Sequence, residues 1–359
     1  MLRRISLIFS GLFILLTTNT HAIEAPLPTM NALAEQTSVS GLSSGAYMAA
    51  QFHVAYSEKL VGAGIVAGGP WNCASTFSFM SPLSNALTTC MDPCKYTWFI
   101  CPSAFFPVGK ELASVAKQSG EAELIDTPDN LLDDQVYIFS GQSDRTVVTK
   151  VVDSTSDFYE SIGLNGNQIF YNKSVNAGHA FITNDAEDAA CDVTQSPYIN
   201  NCNIPQAERM LEHIYGELNE AVTNPQGELL RFNQRSFFES ELASMDDDAY
   251  VYIPQSCKTQ QCRVHVALHG CRQGISIMNT TYIEQTGYME VADSNNIIVL
   301  YPQVKRSNIN PVNPRGCWDF WGYTSNNLPP FNYAYKSAPQ MQAINRMIER
   351  LISPLRSAQ

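Results

Sequence analysis

The stretch "SVSGLSSGAYMAAQF", residues 38–52, contains the pattern Gly-x-Ser-x-Gly around Ser43. The residues just before it, "EQTSVSG", are typical of a strand that runs into a glycine turn, and the residues after it carry apolar side chains at helical spacing. A serine on a sharp strand-to-helix turn has its side-chain oxygen exposed at the end of a sheet. Because glycine and serine are common, the pattern alone also fits an ordinary surface turn.

A serine nucleophile needs a base, and the base needs an acid that orients it. The candidates are Asp144 in "FSGQSDRTV" and His179 in "NAGHAF", each at the end of a predicted strand. Open parallel sheets have their sites at the carboxyl ends of strands, and the order Ser43, Asp144, His179 is the order of α/β-hydrolase triads. Each residue alone also fits a turn or loop position. The three in this order predict a catalytic triad.

The rest of the chain alternates short strand-like runs with helical ones, which predicts a mostly parallel sheet covered on both faces. Further strands are predicted at residues 61–69, 135–144, 167–179, 249–254, 262–270 and 297–303. Further helices are predicted at residues 208–217 and 282–296 and from Pro339 onward. Residues from about 70 to 134 interrupt the alternation and hold four cysteines, so we interpret them as a disulfide-stapled insertion or cap.

The negative charge that builds up on an ester oxygen during nucleophilic attack requires an oxyanion hole. The backbone N–H of Ser44 is one candidate donor, because it follows the nucleophile. The second donor usually comes from an H-G-type motif on an earlier strand, but here "ALHGCRQG" lies late, at residues 267–274. The amide of Cys271 is the candidate, although His269 and Gly270 also fit a simple tight turn.

This late motif predicts the architecture. Joining the C-terminus to the start of the mature chain restores the usual order of strands around the nucleophile. Circular permutation is tolerated where chain ends lie close together at the surface. The sequence therefore predicts an α/β protein with a circularly permuted α/β-hydrolase fold.

The first 22 residues have the features of a secretory signal peptide: Arg3 and Arg4, a short apolar run and "THA" ending at Ala22. A membrane anchor is the alternative, but the apolar run is short for a bilayer span. We expect residues 23–359 to form one exported catalytic domain without a membrane span, extracellular or periplasmic. Loss of the leader lowers the formal net charge from −12 to −14, which argues against binding to nucleic acid or anionic lipid.

Ten cysteines in an exported chain predict disulfides, with Cys191–Cys202 and Cys257–Cys262 as plausible local bridges. Zinc is the alternative, but no paired C-x-x-C or histidine pair completes the Cys90-x3-Cys94 spacing. We therefore expect no metal and no cofactor. Three further histidines have no partner motif and are interpreted as structural: His53, His213 and His265.

Five motifs together, "GLSSGAYM", "GQSDRTV", "NAGHAF", "LHGCRQG" and "GCWDFWGY", resemble the extracellular poly(3-hydroxybutyrate) depolymerases, in particular the class with one circularly permuted catalytic domain. The similarity covers nearly the whole mature chain. The resemblance implies a nucleophile at Ser43, a base at His179 and its acid at Asp144. It further implies oxyanion amides at Ser44 and Cys271, and a substrate cleft lined by Trp318 or Trp321.

The substrate implied by this resemblance is a polyester, and we expect the enzyme to be a monomer. The sequence shows no separate polymer-binding module, so we expect adsorption to solid polymer to depend on apolar side chains of the catalytic domain itself. Soluble esters, such as small acyl or feruloyl esters, are the alternative substrates. A non-catalytic binding protein on the same fold is a third hypothesis, and the complete set of triad residues argues against it.

Overall fold

The computed structural model describes residues 26–95, 101–325 and 328–355. The predicted signal peptide lies outside the described residues. An eight-stranded sheet forms the centre, in the spatial order β4-β3-β2-β1-β10-β11-β9-β8. Its strands are β1 Thr37–Leu42, β2 Leu60–Val66, β3 Gln135–Phe139, β4 Ile169–Asn172, β8 Glu228–Asn233, β9 Asp248–Ile253, β10 Arg263–Leu268 and β11 Ile297–Tyr301.

Helices cover both faces of this sheet, as the alternating sequence predicts. They are α1 Ser44–Ala55, α2 Pro82–Leu87, α3 Gly109–Glu121, α4 Thr149–Ile162, α5 Gln206–Tyr215, α6 Ile275–Met278, α7 Thr281–Gln285, α8 Tyr288–Asn295 and α9 Pro339–Ile352. Helices α1, α3, α4 and α9 bury their apolar sides against one face, and α5, α7 and α8 against the other. Alternate residues of each central strand supply the two cores, because successive side chains of a strand point to opposite faces.

The strand order confirms the permuted fold. Counted along the chain from β8 to β11 and then from β1 to β4, the sheet has the order 1-2-4-3-5-6-7-8. The two ends of the described chain also meet: the N–H groups of Met30 and Ala32 donate to the carbonyl of Leu351, at 3.0 and 3.1 Å. Adjacent ends are what a circular permutation requires.

One strand departs from an all-parallel sheet. β9, next to the edge strand β8, pairs antiparallel with both β11 and β8, while the strands from β11 through β4 are parallel to one another. The sequence pattern does not distinguish the two directions, because both kinds of pairing bury the same alternate side chains. β8 was not among the predicted strands.

Other predicted boundaries also change. The strand expected at 167–179 ends at Asn172, whose side-chain oxygen accepts from the backbone N–H of Ser174 and so turns the chain. The helix expected at 282–296 divides into α7 and α8 at Gly287, which adopts a left-handed conformation with φ of 80°. His179 therefore lies in a loop rather than at the end of a strand.

The described part of residues 70–134 contains no strand. Two disulfides, Cys73–Cys90 and Cys94–Cys101, staple its first half. Its second half contains α3, and an added Cβ at Gly109 would collide with the backbone of α4. The interruption is thus an irregular disulfide-bonded segment followed by a helix that covers the sheet.

A second, three-stranded sheet lies outside the sequence predictions. Its strands are β5 Phe181–Thr183, β6 Ala189–Ala190 and β7 Ile199–Asn201. The predicted disulfide Cys191–Cys202 closes this small sheet, and the predicted disulfide Cys257–Cys262 follows β9. Among the described helices, none has the length and apolar character that crossing a bilayer requires.

Candidate active site

Ser43 occupies the tight turn between β1 and α1 at the centre of the sheet. Its backbone has φ of 56° and ψ of −119°, a sparsely populated conformation that costs on the order of 1–3 kcal/mol for a residue with a side chain. Hydrogen bonds hold the turn on both sides: Ser43 N–H donates to Val66 O at 2.9 Å, and Tyr47 N–H donates to Ser43 O at 3.0 Å. The strand and helix thus hold this serine in a fixed orientation.

The two glycines of the Gly-x-Ser-x-Gly pattern are required by close backbone packing. A Cβ on Gly41 would collide with the backbone of Gly45, and a Cβ on either glycine would collide with the carbonyl of Leu268 at the end of β10. The pattern is therefore more than a surface turn. It allows α1 to start directly against β10 and brings the β10 loop next to Ser43.

The predicted base and acid form a buried pair. His179 Nδ1 lies 2.7 Å from Asp144 Oδ2, and both side chains are almost fully buried. The other carboxylate oxygen accepts from the backbone N–H groups of Thr146 and Val147, at 2.7 and 3.0 Å. Because a carboxylate only accepts hydrogen bonds, Nδ1 carries the proton and Nε2 is left as the basic nitrogen.

The small sheet fixes the backbone beside His179. The N–H of His179 donates to Thr194 Oγ1 at 2.8 Å, and the N–H of Gly178 donates to Cys191 O at 2.8 Å. A Cβ on Gly178 would collide with the carbonyl of Val193. The disulfide-closed segment therefore supports the histidine loop, which replaces the strand predicted there.

The loop after β10 presents the amide predicted as the second oxyanion donor. His269 Nδ1 lies 2.7 Å from Gly270 O, and Val304 N–H donates to His269 Nε2 at 3.4 Å. Burial lowers the pKa of His269 to about 4, so the ring is neutral at pH 7, with Nδ1 donating and Nε2 accepting. The C=O and N–H of a trans peptide point in opposite directions. Anchoring Gly270 O thus turns the N–H of Cys271 away from the ring.

Two further contacts hold this loop. Gln273 Oε1 accepts from Gly270 N–H at 2.7 Å, and Gln273 Nε2 donates to Pro197 O at 2.9 Å. The disulfide Cys271–Cys317 joins the loop to a second segment of the chain. Within the described residues, no group accepts a hydrogen bond from the N–H of Cys271. This amide is therefore available to a ligand.

Ser43 and His179 border one cavity of about 240 Å³. Asp144 lies behind His179, away from the cavity, and Cys271 forms part of the wall. The first turn of α1, with Ser44, follows the nucleophile directly. The structure thus brings together the three predicted triad residues and the loop of the predicted oxyanion donor. The remaining lining residues are Leu42, Met91, Thr146, Thr194, Tyr198, Gly270, Arg272, Gln273 and Arg315.

The two tryptophans predicted for the substrate cleft are not among the residues that border this cavity. Trp318 is 0% exposed and packs in the core, with its ring centroid 5.7 Å from that of His269. Trp321 is partly exposed and stacks edge-on against Phe320. An indole is large and apolar, so it packs equally well in a core or against a substrate. The sequence alone does not distinguish these two positions for a tryptophan.

Asp319 organises the turn between these tryptophans and the end of the "GCWDFWGY" segment. Its carboxylate accepts from the N–H groups of Trp321, Gly322, Tyr323 and Thr324 and from the Thr324 hydroxyl. Burial raises the pKa of this carboxyl group. The motif therefore has a structural function next to the disulfide Cys271–Cys317.

The histidines interpreted as structural have internal partners. His53 lies between Asp134 and Tyr159, and His213 Nε2 lies 3.0 Å from Gln168 O. His265 is buried between the hydroxyl groups of Ser38 and Ser40, at 2.6 and 2.7 Å. None of the three borders the cavity that contains Ser43.

No set of described residues offers a metal site. All ten cysteines are paired in five disulfides, with Cys90 and Cys94 bonded to different partners. No group of three or more His, Cys, Asp or Glu side chains in the described ranges is arranged to hold a metal ion. The cavity itself presents a serine hydroxyl, an imidazole oriented by a carboxylate, and backbone amides.

Some residues of the cavity carry no motif of their own. Thr194 and Tyr198 come from the loop between β6 and β7, Met91 from the disulfide-bonded segment, and Arg315 from the loop before Cys317. Arg272 and Gln273 belong to the quoted "LHGCRQG" motif, so proximity to Cys271 is the one sequence signal that indicates them.

The permuted sheet and the serine turn define the class of the protein: a serine hydrolase with the α/β-hydrolase fold.

No protein-family model matches the chain. It is 39% identical over 333 residues to a poly(3-hydroxybutyrate) depolymerase of Delftia acidovorans, covering 91% of this chain and 62% of that relative. It is 35% identical over 343 residues to a polyhydroxybutyrate depolymerase of Talaromyces funiculosus, covering 91% of this chain and 92% of that relative. The chain belongs to the poly(3-hydroxybutyrate) depolymerase family.

Solved structures agree with this assignment. A crystal structure of PHB depolymerase from Penicillium funiculosum has a TM-score of 0.78 and 33% identity, over 91% of this chain and 99% of that one. A serine-to-alanine variant of a PHB depolymerase, complexed with an R3HB trimer, has a TM-score of 0.79 at the same identity and coverage. The predicted fold class, family and enzyme class are thereby confirmed.

Proposed function

We propose that this protein is a secreted serine esterase that hydrolyses poly(3-hydroxybutyrate)-type polyester to oligomers or hydroxy acid. The observation that carries the proposal is the common cavity of Ser43 and His179, with Asp144 hydrogen-bonded to Nδ1 of the histidine at 2.7 Å. Membership of the depolymerase family supports the choice of substrate. The chain spans 62% of the length of the Delftia relative. The activity of that whole protein is therefore not assigned to this chain directly, and the substrate is a proposal.

The reaction follows from the protonation states of the three side chains. His179 Nε2 accepts the proton of the Ser43 hydroxyl as Oγ attacks the ester carbonyl. The C–O ester bond breaks, the leaving alcohol takes that proton back from Nε2, and the acyl group stays on Oγ. Water then attacks the acyl group, with Nε2 as its base, and releases a carboxylic acid and free Ser43. Asp144 holds the ring in the required tautomer and stabilises its positive charge.

The amides of Ser44 and Cys271 are proposed to stabilise the oxyanion. Ser44 supplies the first free N–H of α1, where the helix dipole favours negative charge. The support for Cys271 is the anchored Gly270, whose C=O and N–H are both bound, while the N–H of Cys271 has no acceptor among the described residues. Fixed donors of this kind need no reorganisation as the charge develops.

A solid polymer requires an apolar surface near the cavity. The disulfide-bonded segment supplies Met91 to the cavity wall and exposes Phe79 and Phe105, with Phe79 83% exposed. We propose that these side chains contact polymer. Of the two tryptophans, the partly exposed Trp321 is the one that we retain as a substrate contact.

Secretion is proposed from the signal-like leader and from five disulfides, which persist in oxidising compartments. The proposed enzyme acts outside the cell or in the periplasm, as a monomer. Its domain is residues 23–359, the chain that remains after loss of the leader.

Clearing of a poly(3-hydroxybutyrate) suspension tests this function. We expect the purified protein to clear the suspension and Ser43→Ala to lose at least about 10⁴-fold in kcat while keeping its melting temperature within a few degrees. Hydrolysis of a soluble p-nitrophenyl ester, measured in parallel, separates the alternatives. Turnover of the soluble ester without clearing would assign the enzyme to soluble esters, and full activity of Ser43→Ala would refute the assigned nucleophile.

A further inference from the structure

Two arginines border the cavity that contains Ser43. Arg272 follows Cys271 directly, and Arg315 comes from the loop before Cys317. No aspartate or glutamate is among the described residues that line this cavity. The chain as a whole has a formal net charge of −12, so a cavity lined by two arginines and by no described carboxylate differs in charge from the protein overall.

The two arginines are held on the same rim by their neighbours. The N–H of Arg272 donates to Arg315 O at 2.7 Å, and the disulfide between Cys271 and Cys317 ties the two segments together. Arg272 Nη1 donates to the hydroxyl of Tyr198 at 3.3 Å, another residue of the cavity. Neither guanidinium forms an ion pair with any described carboxylate.

The backbone at Arg272 adds a second observation. Its φ is 68°, in the left-handed region, which costs a residue with a Cβ on the order of 1–2 kcal/mol relative to glycine. A glycine would relieve this strain at once. The arginine present carries this cost, and its side chain is held beside the cavity by Tyr198.

We propose that Arg272 and Arg315 form an anion subsite that binds the terminal carboxylate of a polyester oligomer. Guanidinium groups bind carboxylates through paired, charge-assisted hydrogen bonds. The inference rests on the proposed function, because the ligand is a chain of hydroxy-acid units joined by esters. It adds a preference for the acid end of an oligomer, which a simple esterase cleft does not have.

The direction of cleavage follows from the chemistry of the chain. When an ester bond of such an oligomer is cleaved, the acyl part on Ser43 Oγ is the piece that ends in a hydroxyl group. The piece that leaves takes its proton from His179 and is an alcohol at one end and the terminal carboxylate at the other. An anion subsite next to the catalytic serine therefore holds the leaving piece, and the enzyme removes units from the carboxyl end.

The test compares the 3-hydroxybutyrate trimer as its free acid with the trimer methyl ester, which lacks the charge. For the wild-type protein we expect a higher kcat/KM on the acid, and a KM for the acid that rises with ionic strength. Arg272→Gln and Arg315→Gln should each raise the KM for the acid about 5- to 10-fold, as expected for loss of one charge-assisted contact. In both variants the ratio of kcat/KM on the acid to kcat/KM on the methyl ester should fall by about the same 5- to 10-fold, because the methyl ester carries no charge for the lost guanidinium to bind.

Arg209→Gln is the matched control, because Arg209 is an exposed arginine on α5 away from this cavity. It should leave both substrates unchanged. Equal losses on acid and methyl ester, or no change on either, would overturn the anion subsite while leaving the esterase intact. A wild-type protein that clears the polymer but cleaves neither trimer would remove the subsite alone, whereas one that neither clears the polymer nor cleaves the trimers would remove the proposed function as well.

Discussion

Among the described residues, two buried histidines each bond an aspartate at nearly the same distance, but through different ring nitrogens. His179 Nδ1 lies 2.7 Å from Asp144 Oδ2, and His53 Nε2 lies 2.9 Å from Asp134 Oδ2. In the second pair the other ring nitrogen lies 2.9 Å from the hydroxyl of Tyr159, and the ring is completely buried. In the first pair no described group binds Nε2, and the ring borders the cavity with Ser43.

The difference shows that the pair itself does not make a catalytic site. A histidine acts as a base when one nitrogen is oriented by an acid and the other reaches the substrate. His53 uses both nitrogens inside the core, between α1, α4 and the start of β3, so it stabilises the fold. His179 keeps one nitrogen for chemistry because it lies on a loop supported by the small sheet.

The same isosteric change at both carboxylates separates the two roles most strongly. We expect Asp144→Asn to lower kcat about 10³- to 10⁴-fold, because an amide that donates to Nδ1 favours the wrong tautomer of His179. Asp134→Asn should keep kcat within twofold. Initial rates on a soluble ester, measured well below the melting temperature of each variant, provide the comparison.

The control for this comparison is the melting temperature. Asp134→Asn should shift it by a few degrees, since burial already raises the pKa of Asp134 and so disfavours its charge. A large loss of kcat in Asp134→Asn, with the fold intact, would contradict the separation of the two pairs.

Substitution of His269 should have a smaller effect on kcat, because this residue orients the loop that carries the Cys271 N–H and transfers no proton. His269→Leu removes the donor to Gly270 O, and we expect a kcat about 10- to 100-fold lower with little change in KM, because the Cys271 N–H acts on the transition state. His269→Asn should recover most of this loss, since its amide nitrogen corresponds to Nδ1.

Binding of a boronate transition-state analogue distinguishes this role from simple packing. The affinity of the analogue should fall in His269→Leu by the same factor as kcat, and return in His269→Asn. An unchanged affinity, together with a lower melting temperature, would mean that His269 serves only the core.

From the buried His265 we predict a moderate dependence of stability on pH. Burial lowers the pKa of His265 to about 3, and its ring lies between the hydroxyl groups of Ser38 and Ser40. The folded state favours the neutral form of His265. The stability that results is fully present above pH 6.5 and is lost as the pH falls towards 3. The slope is at most about 1.4 kcal/mol per pH unit.

Urea unfolding of the wild type and of His265→Gln at pH 7, 6, 5 and 4 measures this contribution. The difference in unfolding free energy between the two proteins should narrow on acidification, because glutamine does not titrate. A difference that stays constant from pH 7 to pH 4 would show that His265 binds a proton equally well in both states.

Much of the fold was predictable because it depends on local patterns. The strands at β1, β2, β3, β10 and β11, the helices α1, α5 and α9, and two of the five disulfides follow from periodicity and spacing along the chain. The late "ALHGCRQG" motif was enough to predict the permutation. The antiparallel edge, the small sheet and the early end of β4 were not predictable, because they depend on pairing and turn contacts without a strong local signal.

The sequence by itself determined the residue types of the site and their order, Ser43, Asp144 and His179. Each of the three lies in a segment that follows a strand predicted from local pattern, and parallel strands end on the same side of a sheet. Only the tertiary structure decided which of two histidine–aspartate pairs borders a cavity. It also decided that Trp318 lies in the core and that Arg272 and Arg315 share one rim. These outcomes depend on contacts between segments far apart in the chain, which local patterns do not specify.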